Sequence, residues 1–212
     1  MPNARLLYVM DPMCSWCWGF APVVTALAEQ AAAAGVQLHL VAGGLRTGQG
    51  AALDAHTKRY ILEHWQAVSQ ATGQPFHFEG ALPDGFIYDT EPACRALVVA
   101  RSLAPELAWP LVKRIQHAFY AEGRDVTQAA VLVELAEQIG IPRIEFAAAY
   151  DAAASHEATA ADFTWVQDLG IAGFPTLLAE RDGQLALLTN GYQPLEQLSP
   201  LLGRWLERGA HA

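Results

Sequence analysis

The hydrophobic positions of this 212-residue chain change period along its length, and each change marks a structural boundary. Arg5-Leu6-Leu7-Tyr8-Val9-Met10 is a short apolar run stopped by the breaker Asp11-Pro12, which predicts a buried strand. Phe20, Val23, Val24, Leu27, Ala31 and Ala34 then recur at helical spacing, with Gly35 as a terminal cap, so a helix is expected over 15–34. Val36-Gln37-Leu38-His39-Leu40-Val41 alternates with period two before Gly43-Gly44, giving a second strand and a βαβ unit.

Beyond residue 50 the spacing is helical for more than a hundred residues. Helices are expected over 52–71, 91–102, 106–120, 128–139, 144–153 and 156–169, with a loop over 76–88. Gly73-Gln74-Pro75, Pro83-Asp84-Gly85, Glu122-Gly123-Arg124-Asp125 and Gly140-Ile141-Pro142 supply the turns and caps between them. Strand character returns at Thr176-Leu177-Leu178-Ala179-Glu180, which a turn at Arg181-Asp182-Gly183-Gln184 pairs with 185–189 as a hairpin. A last amphipathic helix covers 195–208. The order is βαβ over 1–50, a helical block over 51–169 and ββα over 170–212, an α/β fold carrying a helical insertion.

Composition narrows the function. Hydrophobic residues make up 52% of the chain and charged ones 17%, which excludes a disordered protein. The formal charge of −9, without a basic run, removes the counterion release that drives nucleic-acid binding and disfavours anionic membranes. The apolar run Leu6 to Met10 after Met1-Pro2-Asn3 is too short for a signal peptide. Three cysteines do not make a secreted disulfide framework, so a reducing cytoplasmic setting is expected.

The sharpest chemical signal is Cys14-Ser15-Trp16-Cys17 at the junction of the first strand and helix. Two thiols three residues apart at a helix start can close a small disulfide, while unpaired N–H groups and the helix dipole favour a thiolate on the first sulfur. Cys14 is then the attacking thiol and Cys17, one turn inside, the one that resolves the mixed disulfide. A zinc site would need two further ligands of suitable spacing, and Cys94 has no such partner, so no metal is expected. Burial of both thiols as plain core residues is the structural alternative. Far downstream, Gly173-Phe174-Pro175-Thr176 immediately precedes the third strand, where a cis X-Pro bond would turn the Phe174 backbone toward the thiols.

These features together resemble the thioredoxin superfamily, and more closely the DsbA-like oxidoreductases, which insert a helical domain between the second and third strands. Asp11-Pro12-Met13-Cys14-Ser15-Trp16-Cys17-Trp18-Gly19-Phe20, Gly43-Gly44-Leu45-Arg46, Glu91-Pro92-Ala93-Cys94-Arg95-Ala96 and Gly173-Phe174-Pro175-Thr176 resemble its cytosolic branch. The resemblance implies a thioredoxin-like fold with 1–50 and 170–212 as its two parts. It implies Cys14 as nucleophile, Cys17 as resolving thiol and Pro175 as the cis-proline beside the substrate. Ser15-Trp16 replaces the Pro-His of the periplasmic oxidant, so that enzyme's strongly oxidising potential does not carry over, and Asp11 opposes a Cys14 thiolate if its carboxylate points at the sulfur.

The expected activity is thiol–disulfide exchange with a protein or glutathione as partner, without a resident cofactor and with glutathione as a candidate co-substrate. The alternatives are a glutathione-dependent isomerase or transferase of the kappa type, whose members place a serine where Cys14 stands, and a non-catalytic module that holds peptides. Trp16, Phe174 and Pro175 are the candidate substrate contacts, whereas Trp18 suits core packing better than the rim. Gly43, Gly44 and Arg46 form a candidate anion-accepting loop for a glutathione carboxylate, with a plain turn and a surface Arg as an equal alternative. Cys94 suits a buried core position better than a third, regulatory thiol. His56 and His64 suit a solvated helix face, and Glu91 with Arg95 an intrahelical pair. His117, Tyr120 and Glu122 are candidates to approach the site from the helical block. A homodimer through helical surfaces is a candidate assembly, although no heptad seam argues for it.

Overall fold

The computed structural model describes residues 4–210, so Met1–Asn3, on which the leader reading rested, and residues 211–212 lie outside the described residues. Strand β1 (Ala4–Met10) leads into α1 (Ser15–Ala33), and β2 (Gln37–Ala42) follows. Six helices come next: α2 (Ala55–Thr72), α3 (Glu91–Leu103), α4 (Pro105–Tyr120), α5 (Ala129–Gln138), α6 (Arg143–Asp151) and α7 (Ala153–Asp168). The chain closes with β3 (Thr176–Arg181), β4 (Gln184–Asn190) and α8 (Leu195–Ala210).

The strands form one sheet in the order β2-β1-β3-β4. β1 and β2 are parallel, whereas β1 with β3 and β3 with β4 are antiparallel, with an irregularity at Leu177/Leu178. Being central, β1 is buried on both faces. Leu6, Tyr8 and Met10 join the main core with the α1 stripe Cys17, Phe20, Val24, Leu27 and Ala31, while Val9 meets Val41 and Val166 of α7 on the other face. That division follows from the alternation of side chains along a strand and explains why the run is apolar without a break.

The elements depart from the periodicity in small ways with local causes. α2 starts at Ala55 rather than 52 because Asp54 caps it, its carboxylate accepting from Thr57 N at 2.8 Å. α6 and α7 are separated only by Ala152, whose extended backbone breaks the helix. Pro22 lies inside α1 and cannot donate to the Trp18 carbonyl one turn back. The side chain of Gln74 donates to that carbonyl instead, at 2.9 Å.

Candidate functional site

The chain leaves β1 through Asp11-Pro12-Met13 and enters α1 with Cys14 as its N-cap residue. The turn is held from within: Cys14 N donates to Asp11 O at 3.0 Å, and the Asp11 carboxylate accepts from Met13 N at 2.8 Å. No side chain caps α1, and its first turn carries no acidic residue, so the positive end of the helix bears on Cys14. All three cysteines are free thiols, and Cys14 and Cys17 lie 3.3 Å apart. Both are buried, Cys17 completely, and only Cys14 keeps some exposure, at 6%. Burial, and after it the neighbouring Cys14, pushes the Cys17 thiol well above its ordinary range.

Opposite Cys14 stands the turn before β3. The Phe174–Pro175 peptide is cis, and the Cys14 thiol donates to the Phe174 carbonyl at 3.7 Å. Pro175 is buried and Phe174 half-buried. The half-buried Trp16 ring lies 5.8 Å from Tyr192, which also meets Phe20. Trp18 turns inward instead: it is buried, donates to Pro75 O at 3.0 Å and stacks on Tyr120 at an interplanar angle of 8°.

The third wall is the loop after β2. Two carboxylates hold its backbone amides: Asp162 of α7 accepts from Ala42 N at 2.8 Å, at the end of β2, and Asp11 accepts from Leu45 N at 2.7 Å. Arg101 of α3 holds Asp162 through two nitrogens and also donates to Leu40 O. Arg46 pairs with Thr90 in both directions, and its guanidinium lies 5.5 Å from the Tyr88 ring centroid, with its Nε buried and without a partner among the described residues. Gly44 has φ +71° and leaves no room for a side chain beside Phe163.

Asp11 was the residue whose orientation mattered to Cys14. Its carboxylate is fully buried and turned toward Leu45, Met13 and the Cys94 thiol, which donates to it at 3.3 Å. Burial raises the Asp11 carboxyl, and the hydroxyl of Thr90 foremost among its donors works in the opposite direction. Cys94 is fully buried, raised by burial and then by the charge of Asp11. Tyr88, at the end of the segment expected as a loop, donates to Met13 O at 2.6 Å and so supports the Cys14 turn from the helical side. Its position 75 residues downstream left no periodic signal in the sequence.

The remaining candidates lie apart from the thiols. His117 pairs with Glu122, which also holds Arg114; His117 and Tyr120 both pack against the Trp18 ring, edge-on and stacked respectively. His56 and His64 are exposed on α2. Arg95 bonds Glu91 four residues back and His156 across the helices. Among the described residues no group of three His, Cys, Asp or Glu side chains is placed to hold a metal ion, and no helix is long and apolar enough to cross a membrane.

Two thiols at a helix amino terminus, facing a cis-proline turn on the adjacent strand, define the thioredoxin class of fold. A model of the DSBA-like thioredoxin domain matches residues 5–203, and the chain belongs to the DsbA-like thiol–disulfide oxidoreductase family. It is similar to a candidate protein disulfide isomerase of Nitrosomonas europaea, at 43% identity and a TM-score of 0.90, with 97% of this chain and 98% of that one covered. It is also similar to the cytosolic disulfide reductase DsbM of Pseudomonas aeruginosa, at 32% identity and a TM-score of 0.79, covering 95% and 98% of the two chains. A second structure of DsbM contains glutathione and matches at 29% identity and a TM-score of 0.76, covering 98% and 100%. The ClpXP adapter SpxH of Halalkalibacterium halodurans is 20% identical over 208 residues, which is 94% of this chain and 68% of that protein.

Proposed function

We propose that the protein is a cytosolic thiol–disulfide oxidoreductase that works through Cys14 and Cys17, with glutathione or a protein thiol as its partner. The observation that carries this reading is the placement of the Cys14 thiol between the Cys17 thiol, 3.3 Å away, and the Phe174 carbonyl, 3.7 Å away. Cys14 attacks a substrate disulfide, forming a mixed disulfide and releasing one substrate thiolate, which takes a proton from solvent. Cys17 then attacks the Cys14 sulfur, the Cys14–substrate bond breaks, and the second substrate thiol leaves. The substrate is reduced by two electrons and the Cys14–Cys17 pair is oxidised by two. In the opposite direction the same steps oxidise a dithiol.

The surroundings suit each role. The uncapped start of α1 lies at Cys14, and the Phe174 carbonyl offers a backbone acceptor to an extended peptide beside the sulfur. Trp16 and Phe174 supply an apolar rim, and Arg46 is the candidate cation for a glutathione carboxylate. The relation to a cytosolic reductase whose structure contains glutathione supports both the compartment and the partner.

The test is an equilibrium titration against reduced and oxidised glutathione, with the thiols counted by mass spectrometry. A reversible loss of two mass units that maps to Cys14 and Cys17 is expected. A chain that forms no internal disulfide at any ratio overturns the reading.

A further inference from the structure

The resolving thiol presents a problem that the catalytic pair does not solve by itself. Cys17 is fully buried and its thiol is held well above its ordinary range, yet it must lose its proton to attack Cys14. A buried thiolate needs a hydrogen-bond donor, because an unpaired charge away from water is strongly disfavoured.

Tyr8 lies where such a donor is needed. On β1 it shares its face with Leu6 and Met10, the face that packs against the α1 stripe beginning Cys17, Phe20, Val24. Its ring is fixed between Phe20, with centroids 6.0 Å apart, and Trp109 of α4 at 5.8 Å. The side chain is fully buried, and its hydroxyl has no hydrogen-bond partner among the described residues. A buried hydroxyl left without a partner is unfavourable, and a phenylalanine would fill the same space without that cost. Burial, and after it the Cys17 and Cys14 sulfurs, hold the phenol well above its ordinary value, so it keeps its proton and remains a donor.

We propose that the Tyr8 hydroxyl is a catalytic residue, donating a hydrogen bond to the Cys17 thiolate as it resolves the mixed disulfide. The inference rests on the thiol–disulfide reading above and assigns that chemistry a further residue. In the resolving step Cys17 gives up its proton, its sulfur forms the bond to Cys14, and the bond from Cys14 to the substrate sulfur breaks. The departing thiolate takes up one proton, so the step conserves protons and needs no outside oxidant. Tyr8 keeps its own proton throughout and supplies only the hydrogen bond.

Other ionisable groups surround the pair. Asp11 precedes α1, Cys94 comes from α3, Tyr120 from α4, and Tyr88 from the loop before α3, with Arg46 beside Tyr88 and His117 against the Trp18 ring. Asp11 acts on Cys17 in both directions: its backbone hydrogen bond lowers the thiol, and after that its negative charge raises it.

The experiment uses the reduced full-length protein and 5,5′-dithiobis(2-nitrobenzoate) under stopped flow. Attack by Cys14 releases one coloured thiolate, and resolution by Cys17 releases a second. Tyr8→Phe is expected to leave the first phase within twofold, to slow the second about tenfold below its pH midpoint, and to raise that midpoint by about one unit, the size of a hydrogen bond to a charged group. A second phase that superimposes on the unsubstituted protein at every pH overturns the proposal. If the unsubstituted protein releases only one equivalent, the underlying oxidoreductase reading falls with it. Should Tyr8→Phe fail to fold, replacing Tyr8 with 3-fluorotyrosine preserves the shape and strengthens the donor. The midpoint then falls, and an unmoved midpoint overturns the proposal equally.

Discussion

The Phe174 ring occupies the space that a side chain on Gly43 would need. A Cβ added at Gly43 would come within 2.4 Å of the ring, although the two residues come from different edges of the site. Gly43→Ala therefore forces the Phe174 ring to shift, and the turn whose carbonyl meets Cys14 is expected to shift with it. Misplacement by about 1 Å can cost about a hundredfold in rate, and a loss of tenfold or more in disulfide turnover is expected from this variant. Circular dichroism showing an unchanged helix content would assign the loss to the site rather than to the fold.

Cys17→Ser separates attack from resolution. With oxidised glutathione this variant is expected to accumulate a single glutathione adduct on Cys14, because no second thiol completes the exchange. Peptide mapping locates it. An adduct on Cys94 instead would contradict both the burial of that residue and the assignment of Cys14.

Arg46 carries a cation beside the site without an acidic partner among the recorded ion pairs of the described residues. If it receives a glutathione carboxylate, Arg46→Ala raises KM for glutathione disulfide about tenfold, the worth of one charge-assisted hydrogen bond, and leaves kcat within twofold. Steady-state kinetics with glutathione disulfide and with a disulfide lacking carboxylates distinguishes the role. An equal change for both substrates would assign Arg46 to holding the loop.

Buried thiols and phenols predict how stability depends on alkali. Cys17 and Cys94, both raised above their ordinary 9.0 by burial first, keep their protons in the folded chain at a pH where the unfolded chain has lost them. Their contribution is fully present below pH 9 and is lost as pH rises beyond it. Cys94→Ala removes one such proton, so the fall in unfolding free energy above pH 9 becomes shallower by up to about 1.4 kcal/mol per pH unit. Urea unfolding of the reduced protein between pH 7 and 11 measures that slope, which the lower absolute stability of the variant does not obscure.

The parts of the molecule visible in the sequence are those encoded by local periodicity. The unbroken apolar run of β1, the stripe on α1 and the β3–β4 hairpin each state their surroundings within a few residues, and the Cys14-to-Cys17 spacing places both thiols at the first turn of α1. What periodicity cannot carry is contact between distant segments. The bond from Cys94 to Asp11 spans 83 positions and that from Tyr88 to Met13 spans 75, so neither leaves a pattern. Trp18 and Tyr120 illustrate the same limit: their helices were legible, but the stack between them depends on how α4 crosses α1. Tyr8 was readable as a strand residue and silent about its hydroxyl, because a tyrosine suits an apolar strand whether or not its oxygen has work to do.

The 160 positions between Cys14 and Phe174 have a consequence for synthesis. On the ribosome the two thiols emerge early, while the strand that faces them is still untranslated. For that interval Cys14 and Cys17 lack both the Phe174 carbonyl and the pairing of β1 with β3, and a nascent chain offers them to any oxidant or thiol nearby. Under the proposed exchange, the Phe174 carbonyl can bear on a substrate only after β3 docks, so a chain truncated before β3 is expected to react with thiol reagents without that contact.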